Sequence, residues 1–227
     1  GGSTGGSTDG GTTAATTGGM LGSIGCPDHP DLLACYLFED EPPGVLLDRS
    51  GNMLDFVRNE VTLGAGPPNH GTAGVFSAAS VVQIAENPAF DLDTLTISLL
   101  VMPAGGDAQI LDNDQQYGLR YNGGKIDCTI VLANGDFVTV VADVVEGVWS
   151  HVFCSFDGAS FSLFVEALGE QTVVSGPLKK DATNGVVLGN ENPAFDLPFT
   201  GSIDHVLVFG VGLPEAERCK YGLVPCP

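Results

Sequence analysis

Short alternating runs joined by tight turn pairs run through this chain, and they leave it little choice but antiparallel β structure. In TLTISLLVM (94–102), Leu95, Ile97, Leu99 and Val101 fall on one side and Thr94, Thr96 and Ser98 on the other, which is the period of a half-buried strand. SFSLFVEA (160–167) repeats the pattern with Phe161, Leu163 and Val165. Asn134-Gly135 stands between KIDCTIVLA and DFVTVVA, a two-residue hairpin signal, because both residues tolerate the positive φ of a type I′ turn. Asp157-Gly158 separates HVFCSF from SFSLFVEA, and Asn122-Gly123-Gly124 separates YGLRY from KIDCTIV. The one helical start is Pro214-Glu215-Ala216-Glu217-Arg218, with proline at the first turn, good for one or two turns. A dozen or so strands with almost no helix must close into two packed sheets or a barrel.

Composition fits this reading. Hydrophobic residues make up 43% of the 227 positions, enough for a sizeable core, and the 32 glycines and 14 prolines favour turns over long helices. The 28 acidic and 8 basic residues leave a net charge of −20, which repels phosphate backbones and excludes nucleic acid as a partner. The same surface opposes docking on anionic lipid and attracts divalent cations. No stretch has the roughly 18 apolar residues that a membrane span requires, and no N-x-S/T acceptor occurs. The start at Gly1 reads as a processed or trimmed form. Six cysteines, at 26, 35, 128, 154, 219 and 226, with no Cys/His quartet at zinc spacing, read as three disulfides in an oxidising, extracellular compartment.

The organisation is a tail and one domain. Residues 1–22 open with GGSTGGSTDGGTTAATTGG, which has no apolar periodicity and reads as a spacer of about 25 Å mean reach, a lipid- or linker-tethered stalk. Residues 23–227 carry no second linker and read as one β domain. Within it ENPAFDL occurs twice, at 86–92 and 191–197, each time after a short apolar strand and with diverging flanks. Each copy is therefore a loop rather than part of a duplicated domain. Either Asn-Pro starts a turn, with Phe plugging the sandwich edge and Asp capping it, or Glu86, Asn87, Asp91, Glu191, Asn192 and Asp196 surround a ligand, a cation or a neighbouring subunit. Tyr117 and Tyr121 are the candidate aromatic platforms beside them.

Four stretches in order resemble the laminin-G-like jelly rolls of the concanavalin A-like lectin/glucanase superfamily. DLLACYLFEDEPPGVLLDRSGN (31–52) is similar to their opening strand and Asp-x-Ser-Gly-Asn turn, and LDTLTISLLVMP (92–103) to their Thr-Ile-Ser strand. GVWSHVFCSFDGASFSLFVEAL (147–168) is similar to their Gly-x-Trp-x-His-Val strand and hairpin, and VVLGNENPAFDLPFTGSIDHVLVFGVGLPEAE (186–217) to their closing Phe-x-Gly-x-Ile-Asp strand. Leu99 and Leu100 stand where that family usually has Trp. The resemblance implies an all-β, antiparallel two-sheet jelly roll. It also implies a structural calcium held by Glu39 or Asp40 and by Asp204, with Trp149 in the core and His151 in a structural role. On that layout Cys128 and Cys154 point into one apolar layer with Ile126, Ile130, Val148 and Val152, and bridge each other. Cys26–Cys35 and Cys219–Cys226 would then close the ends, against a rival pairing of Cys26 with Cys226 and Cys35 with Cys219.

The Glu-x-Asp-x-x-Glu motif of the superfamily's glucanases is missing, as is a Gly-x-Ser-x-Gly elbow. The functional expectation is therefore a non-catalytic, extracellular or surface-tethered module that binds a glycan or a protein. The alternative is a structural subunit of a filament or coat, its tail packed on a copy of itself.

Overall fold

A computed structural model describes residues 1–2, 25–180 and 183–223. The tail, and with it the filament reading, lies outside the described residues, as does Cys226. In chain order the strands are β1 (Leu32–Tyr36), β2 (Val45–Leu46), β3 (Phe56–Asn59), β4 (Thr62–Ala65), β5 (Thr72–Phe76), β6 (Val81–Gln83), β7 (Leu95–Pro103) and β8 (Asp107–Asn113). They continue with β9 (Tyr117–Asn122), β10 (Lys125–Val131), β11 (Phe137–Asp143), β12 (Ser150–Phe156), β13 (Ser160–Val165), β14 (Leu168–Val173), β15 (Val187–Leu188) and β16 (Gly201–Phe209). One sheet has the order β14-β13-β12-β7-β16-β5-β4, with β1 also on β16; the other runs β11-β10-β9-β8-β15-β6-β3-β2. All pairs given are antiparallel, so the described residues form the expected jelly-roll sandwich.

The local signals act as the sequence implies. Asn134-Gly135 turns β10 into β11, with Gly135 N–H donating to Leu132 O at 2.8 Å. Asp157 Oδ1 accepts from the N–H groups of Ala159 and Ser160 in the β12–β13 turn. The Asp-Arg-Ser-Gly-Asn turn is stitched to β1: Asp48 accepts from Cys35 N–H, and Asn52 Nδ2 donates to Leu33 O at 2.8 Å. Glu215–Lys220 forms a 3-10 helix, and Pro214 stands just before it rather than inside it.

Between the sheets lies one large core built from alternate residues, among them Ile97, Leu99, Ile126, Ile130, Val152, Phe161 and Leu163. Cys128 on β10 and Cys154 on β12 are both fully buried and disulfide-bonded, so their bridge joins the two facing sheets through the core. Cys26–Cys35 is also formed, which overturns the rival pairing, and Cys219 is disulfide-bonded as well.

Three expectations are corrected by tertiary packing. β7 is buried on both faces, not one: Thr96 and Ser98 are 0% and 1% exposed. The segment after β16 crosses this outer face, where Thr96 Oγ1 donates to Val211 O at 2.8 Å and Ser155 Oγ to Leu213 O at 2.7 Å. Val148 lies before β12 and is 50% exposed, so it does not share the layer of Cys154. Trp149 is half-buried and absent from the core, because it also precedes the strand.

Candidate functional site

Two regions collect polar side chains. The first is a groove of about 200 Å³ on the outer face of the second sheet, at the end where β8 turns into β9 and β10 into β11. Strand alternation puts Asp112, Gly118, Thr129, Val131 and Phe137 on this face, while Leu119, Ile130 and Val140 point into the core. Gln109, Glu191 and Asn192 complete the walls. Phe137 is 70% exposed at the rim. Gly118 keeps the floor open, since a Cβ there would meet Gln109 Nε2 at 2.6 Å and Asp112 Oδ1 at 3.2 Å.

The two ENPAFDL loops meet on either side of the β8–β9 hairpin, in different conformations. In the first copy Asn87 caps a 3-10 turn over Pro88–Phe90 and accepts from Ala89 N–H at 3.0 Å. Phe90 is buried, and its carbonyl accepts from Tyr117 Oη at 3.1 Å and Asn113 Nδ2 at 3.3 Å. Asp91 takes a hydrogen bond from Gln116, and Glu86 is half-buried. All of this serves packing. In the second copy the Asn192–Pro193 peptide bond is cis, Phe195 is 38% exposed at φ 56°, and Asp196 is exposed. Asn192 N–H donates to Asp112 Oδ2 at 2.8 Å. Only the second copy, through Glu191 and Asn192, reaches the groove.

The tyrosines do not act as platforms. Tyr117 is 2% exposed, with its hydroxyl on Phe90, and Tyr121 is 1% exposed, with its hydroxyl on Glu146. The sequence reading missed Phe137, whose position directly after the Asn134-Gly135 turn was the available signal.

The groove is acidic. Burial, aided by the charges of Asp114 and Glu191, lifts the Asp112 pKa to about 7, against the pull of the Asn192 N–H. A hydrogen bond shared with Asp196, then burial, raises Glu191. The folded pKa of Asp112 lies above its unfolded value of about 3.9, so this carboxyl favours the fold at low pH. That contribution is lost as the pH rises from about 4 through 7. Asp112→Asn should therefore stabilise the protein by on the order of 2 kcal/mol at pH 8, a gain that shrinks toward zero near pH 4. Urea midpoints across that range check this, and a gain independent of pH would contradict it.

The second region is a small, half-open pocket on the first sheet, lined by Leu37, Glu39, His70, Asp204 and His205. It forms where β16 bulges between Asp204 and Leu207, since β5 pairs with β16 up to Ile203 and β1 from Val206 onward. His205 sits there at φ 49°, and its N–H donates to Asp204 Oδ1 at 2.7 Å. Glu39 is held by Thr72 N–H at 2.7 Å and Thr72 Oγ1 at 3.1 Å. Burial and the nearby Glu39 charge push Asp204 up to about 8; burial and His70 push His205 down to about 4. His151 lies on the same sheet, with Nε2 at 2.8 Å from Ser98 Oγ, in the structural role expected.

Glu39 and Asp204 thus come together, while Asp40 is exposed and does not line the pocket, because its backbone turns outward at φ 50°. Two imidazoles and two carboxylates already engaged by N–H or O–H donors do not match the six to eight oxygens that calcium prefers. Among the described residues, no three His, Cys, Asp or Glu side chains surround one point at coordination distance.

Comparison with solved structures places the fold among known domains. The binding domain of Paraclostridial Mosquitocidal Protein 1 superposes with a TM-score of 0.68 at 13% identity, over 83% of this chain and 51% of that one. Domain 4 of AbnA, a GH43 extracellular arabinanase from Geobacillus stearothermophilus solved with arabinotriose, gives 0.64 at 16% identity, over 81% and 94%. The botulinum neurotoxin serotype D binding domain gives 0.59 at 14%, over 84% and 50%. The chain thus spans about half the length of the toxin binding domains and nearly all of the arabinanase domain. No curated protein matches the sequence. Residues 76–217 match the family described as the concanavalin A-like lectin/glucanases superfamily, in its laminin-G branch, and the chain belongs to that family.

Proposed function

We propose that this chain is a non-catalytic, extracellular binding module that takes one sugar ring of a glycan in the groove around Gly118. The observation that carries this reading is the groove itself, which sets an exposed aromatic ring, Phe137, beside the planar polar groups of Gln109, Asp112 and Asn192. A sugar offers an apolar C–H face for such a ring and hydroxyls for such groups. The volume of about 200 Å³ lies below the roughly 300–1,000 Å³ of pockets for drug-sized ligands, so it suits a single ring of a longer chain. Solved domains of this shape include one complexed with arabinotriose, which supports a saccharide as ligand. The disulfides formed by the described cysteines suit an oxidising, extracellular setting, and no described helix is long and apolar enough to cross a membrane.

Solved domains of this shape that are named as binding domains support a non-catalytic role.

The experiment is a glycan array followed by calorimetric titration with the best oligosaccharide. Phe137→Ala should weaken binding about tenfold, in line with 1–1.5 kcal/mol for an aromatic contact. Gly118→Val should abolish binding. Phe137 is exposed, so its removal leaves the fold intact and separates lost binding from lost structure. Saccharide binding unaffected by either substitution, or no binding to any saccharide, would refute the proposal.

A further inference from the structure

A sugar ring seated over Gly118 would meet a wall of carboxylates. Among the described residues lining the groove, Asp112, Asp114 and Glu191 are acidic and none is Lys, Arg or His. The cations nearby are engaged elsewhere. Arg120, whose charge reaches Glu191, donates from Nε to Asp107 Oδ1 at 2.7 Å, and the Lys179 ammonium bonds to Gln115.

One carboxylate oxygen lies directly against the seat. Asp112 is 9% exposed, and its Oδ2 accepts from Asn192 N–H at 2.8 Å. Its Oδ1 faces the space that Gly118 leaves, 3.2 Å from where a Cβ would stand. Gln109 Nε2 is 3.4 Å from this oxygen and makes its shorter bond to Leu111 O, at 3.1 Å, so Oδ1 keeps room for another donor. Burying a carboxylate is costly until a charge or a strong donor meets it. Burial and the neighbouring acids accordingly raise this one to about 7. At the rim, the 70% exposed ring of Phe137 offers a π face, which attracts cations.

These features discriminate among sugars. A neutral ring brings only hydroxyls to Asp112 Oδ1. A uronate or sulfated ring sets a like charge against three carboxylates, within a chain of net charge −20. An ammonium brings three N–H donors and the compensating charge together.

We propose, resting on the saccharide reading above, that the groove is specific for an amino sugar with a free, protonated amine. The ammonium donates to Asp112 Oδ1, with Asp114 and Glu191 adding their field, and the apolar face of the ring lies on Phe137.

The test is calorimetric titration of the full chain with three trisaccharides: β-1,4-linked glucosamine, its N-acetylated counterpart, and galacturonic acid. The glucosamine trimer should bind at least tenfold more tightly than the N-acetylated one, the factor expected of a charge-assisted hydrogen bond. The galacturonate trimer should not bind. Raising the salt from about 0.01 M to about 1 M should erode the glucosamine affinity severalfold by screening and leave the N-acetylated trimer unaffected. Asp112→Asn keeps an oxygen for the Asn192 N–H and removes a costly buried charge, so it folds; it should lower the ratio of the two affinities about tenfold. Equal binding of the two trimers, tighter binding of galacturonate, or an unchanged ratio in Asp112→Asn would overturn this proposal while leaving the saccharide reading standing. A lysine tripeptide that binds as tightly as the glucosamine trimer would also overturn it, since the groove would then read ammonium and not sugar. If none of the three trimers binds, this proposal falls, and the glycan array decides whether the saccharide reading falls with it.

Discussion

Replacing Cys128 and Cys154 together by alanine is expected to lower the free energy of unfolding by about 2–5 kcal/mol and Tm by about 5–15 °C. The bridge spans 26 positions of sequence, and closing a loop of that size removes much of the freedom of the unfolded chain. It also joins β10 to β12 across the core, so its loss unlinks the sheets at a point where both sulfurs are fully buried. The Cys26–Cys35 bridge closes only 9 positions ahead of β1, and half-buried Cys26 lets solvent approach it. Its removal should cost less, and a reductant acting on the folded protein should open it first. Calorimetry and urea unfolding of the two double variants, with mass mapping of partly reduced protein, check both statements. A loss below about 1 kcal/mol for the buried pair would show that the two sheets hold together by packing alone.

A comparable loss is expected for Phe38→Ala, about 3–5 kcal/mol, the usual range for truncating a buried phenylalanine. Phe38 is fully buried at φ 56°, and its ring packs edge-on to Phe76 at 6.1 Å. It also lies against Gly74 of β5, so closely that a Cβ there would overlap the ring. Gly74→Ala alone should therefore cost about 1–3 kcal/mol through overpacking. In the Phe38→Ala background the same methyl would enter vacated space, and the double variant should be less destabilised than the two single losses together. Strict additivity in a urea-denaturation cycle would show that these two positions do not share space. Phe38 also leads the chain into Glu39, and its carbonyl accepts from Thr72 Oγ1 at 2.7 Å, so the same truncation should loosen the pocket of Glu39, His70, Asp204 and His205.

The sequence is most informative where one residue's role depends on its near neighbours. Alternation in 94–102 and 160–167, and the Asn-Gly and Asp-Gly pairs, specify strands and hairpins because side-chain direction and turn dihedrals are local properties. The resemblance implies the Cys128–Cys154 bridge, whereas the partner of Cys26 stays open between two pairings in the sequence and is set only by the folded chain. Alternation does not say what covers the other face. Thr96 and Ser98 look solvent-facing, yet Thr96 is bonded to Val211 and Leu213 more than a hundred residues away, and Ser98 to His151. The four histidines look scattered for the same reason. Nothing near position 70 announces that His70 will stand against His205; that follows from β1 and β5 sharing one edge of β16 on either side of a bulge.

ENPAFDL marks the boundary between these two kinds of knowledge. The chain specifies both copies identically, and from sequence both are turns. Which phenylalanine is buried and which loop reaches a groove is settled only when the β8–β9 hairpin folds between them. It takes Phe90 and Asp91 on one side through Asn113, Gln116 and Tyr117, and Asn192 on the other through Asp112. Seven residues make too few contacts of their own to hold one shape, so their conformation is decided by the surfaces on which they land.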